Sequence, residues 1–143
     1  NSFRILCLLA MFFTRCEKEP EPVDIPDDAF LSALLQLGVD TDGDGKISTN
    51  EAASVISLDV YRCNITDMTG IEAFRNLDTL DCSWNQLGSL NVSKNTALTV
   101  LRCYVNPITN LDVSSNMALT ELYCAENKIT DLDIRVTRRR KLM

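Results

Sequence analysis

Residues 80–87 read LDCSWNQL, and three related stretches occur elsewhere in the chain: LDVYRCNI at 58–65, LRCYVNPI at 101–108 and LYCAENKI at 122–129. Their starting leucines are separated by 22, 21 and 21 residues. The alternating apolar residues predict a short strand, and the Asn that follows predicts a turn whose side chain satisfies buried backbone groups. A single coil of this size cannot bury its own apolar edge, so we expect the coils to stack.

The repeat resembles the leucine-rich repeat, L-x-x-L-x-L-x-x-N/C-x-L, and the resemblance extends from Val55 to about Ile134. The leading leucines are Leu77, Leu98 and Leu119. Weaker echoes begin at Leu90, Leu111 and Leu132, ten residues after each main strand, which leaves no room for a helix on the back of a coil. This nested pattern resembles a subclass found in Gram-negative surface proteins. The resemblance implies a mostly β repeat protein: a short leucine-rich-repeat solenoid of parallel β-strands over 58–134.

A twelve-residue segment ahead of the repeats, DTDGDGKISTNE at 40–51, matches the EF-hand calcium loop. Calcium prefers six to eight hard oxygen ligands, and this spacing turns them inward. The predicted ligands are the side chains of Asp40, Asp42 and Asp44, the backbone carbonyl of Lys46, Ser48 through water, and both oxygens of Glu51. We therefore predict a helix–loop–helix cap over 27–57 with one structural Ca²⁺ site. The alternative is a polar turn without metal.

The first residues are typical of an export signal. Arg4 precedes nine apolar residues, 5–13, which as a helix would rise about 14 Å and could not span a bilayer. We predict a signal peptide over 1–15, and Cys16 resembles the lipidation site of bacterial lipoproteins. The alternative is a buried core strand. The acidic, proline-rich residues 16–26 predict a solvated tether. Together these features predict a protein exported and lipid-anchored at the outer membrane or cell surface of a Gram-negative bacterium.

Composition excludes several classes of function. The 143 residues include 20 acidic and 14 basic side chains, a net charge of −6, and no histidine. The missing histidine argues against Ser–His triads and most zinc sites, and the acidic balance argues against nucleic acid as a partner. Membrane contact is expected only through the lipid anchor. The basic segment 135–143 has lost the repeat and is interpreted as an interaction tail, a truncation or a misread end.

All four of the largest polar aromatic side chains fall on predicted outward positions of the main strands: Tyr61, Trp84, Tyr104 and Tyr123. The other outward positions are Asp59, Arg62, Asp81, Ser83, Arg102, Val105, Ala125 and Glu126. Aromatic residues on a rigid sheet favour a recognition face, with an extracellular protein or carbohydrate as the partner of a monomer. The alternatives are that Tyr and Trp simply favour strands, that the coils are a structural spacer, or that Asp59 and Asp81 act as a glycosidase pair. An open sheet without pocket-forming loops argues against an enzyme.

The cysteines sort by position. Cys7 belongs to the signal, Cys63 replaces the turn Asn, and Cys82, Cys103 and Cys124 are expected in one inward column. Neighbouring strands lie about 4.8 Å apart with parallel Cβ bonds, whereas a disulfide requires about 3.8 Å between Cβ atoms. We therefore predict reduced thiols that pack as small apolar side chains.

Overall fold

The computed structural model describes residues 20–133 and 141–142, and the predicted signal peptide and Cys16 lie outside them. Two helices come first, α1 (Asp28–Gln36) and α2 (Thr49–Ser54), and a short 3₁₀ helix spans Ile71–Ala73. The strands are β1 (Ser57–Asp59), β2 (Thr79–Asp81), β3 (Val100–Arg102), β4 (Asn110–Asp112), β5 (Glu121–Tyr123), β6 (Asp131–Asp133) and β7 (Lys141–Leu142). All strand pairs are parallel, in one sheet of order β1-β2-β3-β5-β7 and a second, β4-β6.

The main sheet forms because the repeat leucines share one register. Leu58, Leu80, Leu101 and Leu122 are ladder partners in successive coils and are buried. The smaller sheet pairs Leu111 with Leu132 in β4 and β6, where the weaker echo of the repeat predicted a second strand. The stacked, parallel solenoid predicted from the period is therefore confirmed.

The inward cysteines behave as the spacing predicts. Cys82 and Cys103 are fully buried, Cys124 is half-buried, and these three and Cys63 are free thiols. Burial raises the pKa of the Cys82 and Cys103 thiols well above its ordinary value, so both remain protonated and pack as apolar groups.

The asparagine that follows β2, β3 and β5 hydrogen-bonds across two coils. Asn85 Oδ1 accepts from the backbone N–H groups of Cys63 (3.1 Å) and Ile65 (3.0 Å) in the preceding coil. Its Nδ2 donates to the carbonyls of Val60 and Cys82, both at 2.9 Å. Asn106 and Asn127 repeat this arrangement, accepting from Leu87 and Ile108 of the coil before. The side chain thus supplies partners for backbone groups that a buried turn would otherwise leave unpaired.

The cap is fastened to the first coil by Asp27. Its Oδ1 accepts from the N–H of Phe30 at 2.8 Å and so caps α1. Its Oδ2 accepts from Thr66 N (2.9 Å), Thr66 Oγ1 (2.7 Å) and Asp67 N (3.0 Å). Partial desolvation raises the pKa of Asp27, but the hydrogen bonds from Thr66, Phe30 and Asp67 outweigh it and lower the pKa to about 2.

We expect the stability of the protein to fall as the pH is lowered from about 3.8 to about 2, in part because Asp27 becomes protonated. A carboxyl group whose pKa is lowered by folding stabilises the folded state above its unfolded pKa of 3.8 and loses that contribution as the pH approaches 2. The measurement is the free energy of unfolding in urea as a function of pH. Asp27→Asn should remove part of the slope in this window, and Asp28→Asn, at the exposed start of the same helix, should retain it. Identical slopes in the two variants would contradict the assignment.

The segment before α1 differs from its prediction as a solvated tether. Its last residues are extended but packed, because Val23 and Ile25 contact the hydrophobic core and Pro22 forms an isolated antiparallel bridge with Ser48. Val23 N donates to the carbonyl of Ile47 at 2.7 Å, and Thr49 N donates to that of Glu21 at 2.9 Å. Residues 21–25 therefore belong to the cap.

The basic tail also differs from its prediction. Lys141 and Leu142 form β7, which pairs with β5 in the register Glu121↔Lys141 and Leu122↔Leu142. Leu142 therefore occupies the ladder position of the repeat leucines. The surrounding arginines concealed this match in the sequence, and residues 141–142 add a fifth strand to the main sheet.

Candidate functional site

The predicted metal loop brings three carboxylates together at the end of the cap. One ligand atom each from Asp40, Asp42 and Asp44 lies within 4.8 Å of the other two. Asp40 accepts from the backbone N–H groups of Gly43 (2.7 Å) and Gly45 (2.9 Å), so the loop curls around this side chain. The positive φ angles of +78° and +81° at these glycines permit the curl, and Ile47 is buried in the core.

The electrostatics of the loop suit a cation. The backbone N–H of Asp44 donates to Asp42 at 3.1 Å and favours its ionised form. Desolvation and the charges of the three nearby carboxylates nevertheless outweigh this bond and raise the pKa of Asp42. A cluster of hard, mutually repelling oxygens fits the donor set that Ca²⁺ prefers. Asp40, Asp42 and Asp44 therefore fit the predicted ion by both position and chemistry.

Glu51 lies apart from that cluster and hydrogen-bonds to the protein. Its Oε1 accepts from Thr41 N (2.6 Å) and Thr41 Oγ1 (2.8 Å), and its Oε2 accepts from Ser48 N (2.9 Å) and Ser48 Oγ (2.8 Å). Ser48 and Glu51 together form the capping box of α2. The hydrogen bond from Ser48 N, followed by that from Thr41 N, lowers the pKa of Glu51 to about 2. The carboxylate is therefore ionised at neutral pH and joins the two ends of the loop.

The four aromatic residues of the predicted ligand face do not form a single column. Trp84 and Tyr61 are 43% and 39% exposed, whereas Tyr104 and Tyr123 are half-buried. Only Tyr61 and Tyr104 share a repeat position, and Ser83 lies between them in the intervening coil. Trp84 occupies the next position along the coil, and Tyr123 ends β5. The face is therefore a patch in which the aromatic side chains are staggered.

Ser83 was predicted to point outward and is instead fully buried. Its backbone N–H donates to Asp81 Oδ1 at 3.0 Å, which tightens the chain at the end of β2. Strict alternation along the strand failed here because the strand ends at Asp81 and the turn has already begun. Within the described residues, the Ser83 hydroxyl has no hydrogen-bond partner.

Two arginines organise the aromatic patch, a role that the sequence analysis did not assign to them. The Cζ atom of Arg62 lies 4.5 Å from the ring centroid of Trp84 and 5.7 Å from that of Tyr61. Arg102 lies 5.2 Å from the ring of Tyr123, whose hydroxyl donates to Glu121 Oε2 at 2.9 Å. Such cation–π contacts hold flat side chains in defined positions. The placement of Arg and aromatic residues at neighbouring outward positions was the signal available in the sequence.

The turn after each main strand contains a residue in the left-handed region. These residues occupy one repeat position, with φ of 57° at Arg62 and Trp84 and 54° at Val105 and Glu126. Glycine or asparagine would adopt this conformation at lower cost, and a β-branched residue such as Val105 is a marked outlier. The position thus carries large side chains at the expense of backbone strain.

Several known proteins are similar to this chain in sequence and in fold. The chain is 40% identical over 71 residues to Internalin J of Listeria monocytogenes, which covers 50% of this chain and 8% of the relative. The functional domain of InlJ from the same species, described as including a cysteine ladder, superposes with a TM-score of 0.71 and 36% identity over 81% of this chain and 27% of that one. The fold is a leucine-rich-repeat solenoid. An internalin, InlF, also from L. monocytogenes, shares the fold with a TM-score of 0.70 and 24% identity over 81% of this chain and 35% of that one.

The matched part of this chain therefore spans only about a tenth to a third of the length of each of these relatives. No family model matches the sequence. Among residues 20–133 and 141–142, neither helix is long and apolar enough to cross a bilayer.

Proposed function

We propose that this leucine-rich-repeat solenoid is a non-catalytic binding module that recognises an extracellular protein. The observation that carries the proposal is the exposed patch of Tyr61, Arg62 and Trp84, which lie in the turns that follow the parallel strands β1 and β2. Tyr, Trp and Arg are the residues that dominate the binding energy of protein interfaces, and a rigid sheet loses little entropy when it binds. The similarity to internalin domains also supports a binding function.

The charge of the chain narrows the class of partner. With 20 acidic and 14 basic residues, the protein repels polyanions, and this disfavours nucleic acids and heavily sulfated glycans. The aromatic rings of Trp84 and Tyr61 are both in contact with the Arg62 guanidinium, which leaves less free ring surface for a sugar to stack on. A protein partner with a neutral or basic surface fits these features better than a carbohydrate.

Replacing Trp84 with alanine is expected to weaken partner binding by about 2 kcal/mol or more, with a much smaller effect on stability. The indole is exposed and its loss removes the largest contact surface of the patch. The measurement pairs affinity for a partner captured on an array of purified extracellular proteins with a thermal melting curve. Met117→Ala is the matched control, because Met117 is 65% exposed but lies in the turn after β4. Strong unfolding with unchanged affinity would show that Trp84 is a core residue.

We propose further that the cap holds one structural Ca²⁺ ion. Asp40, Asp42 and Asp44 would supply carboxylate oxygens, with Lys46 through its carbonyl and Ser48 through water. Glu51 is the predicted sixth ligand and would have to share or release its hydrogen bonds with Thr41 and Ser48. The ion would neutralise the repulsion among the aspartates and rigidify the loop.

Chelation with EDTA is expected to increase hydrogen exchange in the loop over 40–51 and to leave the solenoid amides protected. The loop lies at one end of the stack, and each unit of a solenoid contacts only its neighbours. The Asp42→Asn and Asp44→Asn double variant should show the chelated pattern even with calcium present, whereas Asp28→Asn should respond like the wild-type protein. Hydrogen exchange in this loop that is the same with and without calcium would contradict the proposed Ca²⁺ site.

For localisation, we propose that Cys16 is lipidated and anchors the exported chain at the surface of a Gram-negative bacterium. The proposal is supported by the short apolar run that precedes this cysteine and the acidic residues that follow it. A Cys16→Ser chain that stays with the membrane fraction would contradict it.

A further inference from the structure

The guanidinium of Arg62 is held in place by the rings of its own coil and of the next one. Its Cζ lies 4.5 Å from the Trp84 ring centroid and 5.7 Å from that of Tyr61. Arg62 and Trp84 occupy the same repeat position with the same φ of 57°, and Arg62 N donates to the Ser83 carbonyl at 3.1 Å. The two side chains therefore leave adjacent coils from equivalent backbone positions, which orients the arginine before any ligand binds.

The hydrogen-bond donors of this arginine are not used by the protein. Among residues 20–133 and 141–142, the Arg62 side chain makes only the two ring contacts and has no hydrogen bond or ion pair to an acceptor. A guanidinium offers five N–H donors in a planar fork that matches a carboxylate in a bidentate geometry. A cation–π contact with a ring does not supply a lone-pair acceptor, so the N–H donors still require one.

We propose that Arg62 is the anchor for an aspartate or glutamate side chain of the partner protein, an inference that rests on the proposed binding function. The partner carboxylate would receive paired N–H donors from the guanidinium, while Trp84 and Tyr61 pack against apolar atoms beside it. Burying an arginine in an interface without an acceptor is costly, so an interface that covers this patch has to supply one.

The neighbouring charges select a single carboxylate. Asp59 lies three residues before Arg62, and Asp81 in β2 is the ladder partner of Asp59. A phosphate monoester, which carries close to two negative charges, would be repelled by this pair more than a monoanionic carboxylate is. The ligand group is therefore one acidic side chain within a neutral or basic surface.

The test is an NMR titration of the protein with two blocked tripeptides, acetyl-Ala-Glu-Ala-amide and acetyl-Ala-Gln-Ala-amide. The resonances observed are the indole N–H of Trp84 and the guanidinium Nε–H of Arg62. The Glu peptide is expected to bind on the order of tenfold more tightly than its neutral isostere, because the pair is charge-assisted. Arg62→Lys should lose most of that preference and Arg62→Gln all of it. Arg75→Gln, which removes another exposed arginine, should retain it.

Equal binding of the two peptides overturns the inference, as does the absence of any saturable shift at concentrations on the order of 100 mM. So does an Arg62→Lys variant that behaves as the wild-type protein. Glucuronate binding more tightly than the Glu peptide would assign the site to a sugar acid and overturn the choice of a protein side chain. With a captured partner, loss of binding in Trp84→Ala but not in Arg62→Gln refutes the carboxylate anchor alone. Loss in neither variant refutes both the anchor and the proposed function.

Discussion

Replacing Asn85 with alanine is expected to lower the free energy of unfolding by about 3 kcal/mol or more. The Asn85 amide accepts two backbone N–H groups of the first coil and donates to carbonyls in both the first and second coils. Alanine would leave the N–H groups of Cys63 and Ile65 and the carbonyl of Val60 without a partner, whereas the Cys82 carbonyl would still accept from Asn106 Nδ2 at 3.1 Å. Each unpaired buried group costs about 1–3 kcal/mol. The measurement is the midpoint and slope of urea unfolding.

Two further variants show whether the cost arises from the buried amide. Asn91→Ala should change stability by less than about 0.5 kcal/mol, because Asn91 is exposed and accepts only from Ser93 N. Asn85→Asp preserves the acceptor but removes the donor and places a charge against carbonyl oxygens, so it should be as damaging as alanine. An Asn85→Ala protein as stable as the wild type would mean that water satisfies the turn.

Replacing Gly70 with alanine is the second large effect, expected at about 3 kcal/mol. Gly70 has φ of +102°, and an added Cβ would lie 2.7 Å from Ile25 Cγ1 and 2.8 Å from the carbonyl oxygen of Asp24. The side chain of Ile25 could rotate away, but the Asp24 carbonyl is backbone and can move only if residues 21–25 shift. We therefore expect hydrogen exchange at Val23 N to increase together with the loss of stability.

Gly88→Ala is the matched control for Gly70→Ala. An alanine Cβ at Gly88 would meet no atom within 4 Å, and this glycine is not among those with a positive φ. Its stability should be unchanged or slightly raised, because alanine reduces the entropy of the unfolded chain. Equal effects at the two glycines would indicate that the packing of residues 21–25 on the first coil is not required.

The parts of the fold that sequence could predict are those set by the period. The leucine ladder depends on a spacing that occurs in four coils, and the inward cysteines and turn asparagines on spacings that occur in three; each is found in the structure. The prediction for residues 21–25 failed because their composition is locally that of a linker, whereas the hydrogen bonds that order them are with Ile47 and Thr49, distant in sequence. Local composition does not predict contacts between residues that are distant in sequence.

The candidate site was predictable in composition but not in arrangement. The pattern placed Tyr61, Trp84, Tyr104 and Tyr123 at or near the sheet surface, yet their exposure differs, even between Tyr61 and Tyr104, which share one repeat position. The burial of Ser83 and the stacking of Arg62 depend on where the strand ends and on the left-handed turn that follows. Neither the end of a three-residue strand nor a positive φ at Trp84 is encoded by the repeat pattern.

The direction of the asparagine bonds gives the stack an order of assembly. Asn85, Asn106 and Asn127 each complete the turn of the coil that precedes them, at Ile65, Leu87 and Ile108 respectively. Each coil therefore supplies the acceptor for the turn of the coil before it, and the acceptor for its own turn comes from the coil that follows. In a chain that folds from the amino terminus, we therefore expect each added repeat to satisfy the backbone N–H groups of the preceding turn and to leave those of its own turn without an acceptor until the next repeat folds.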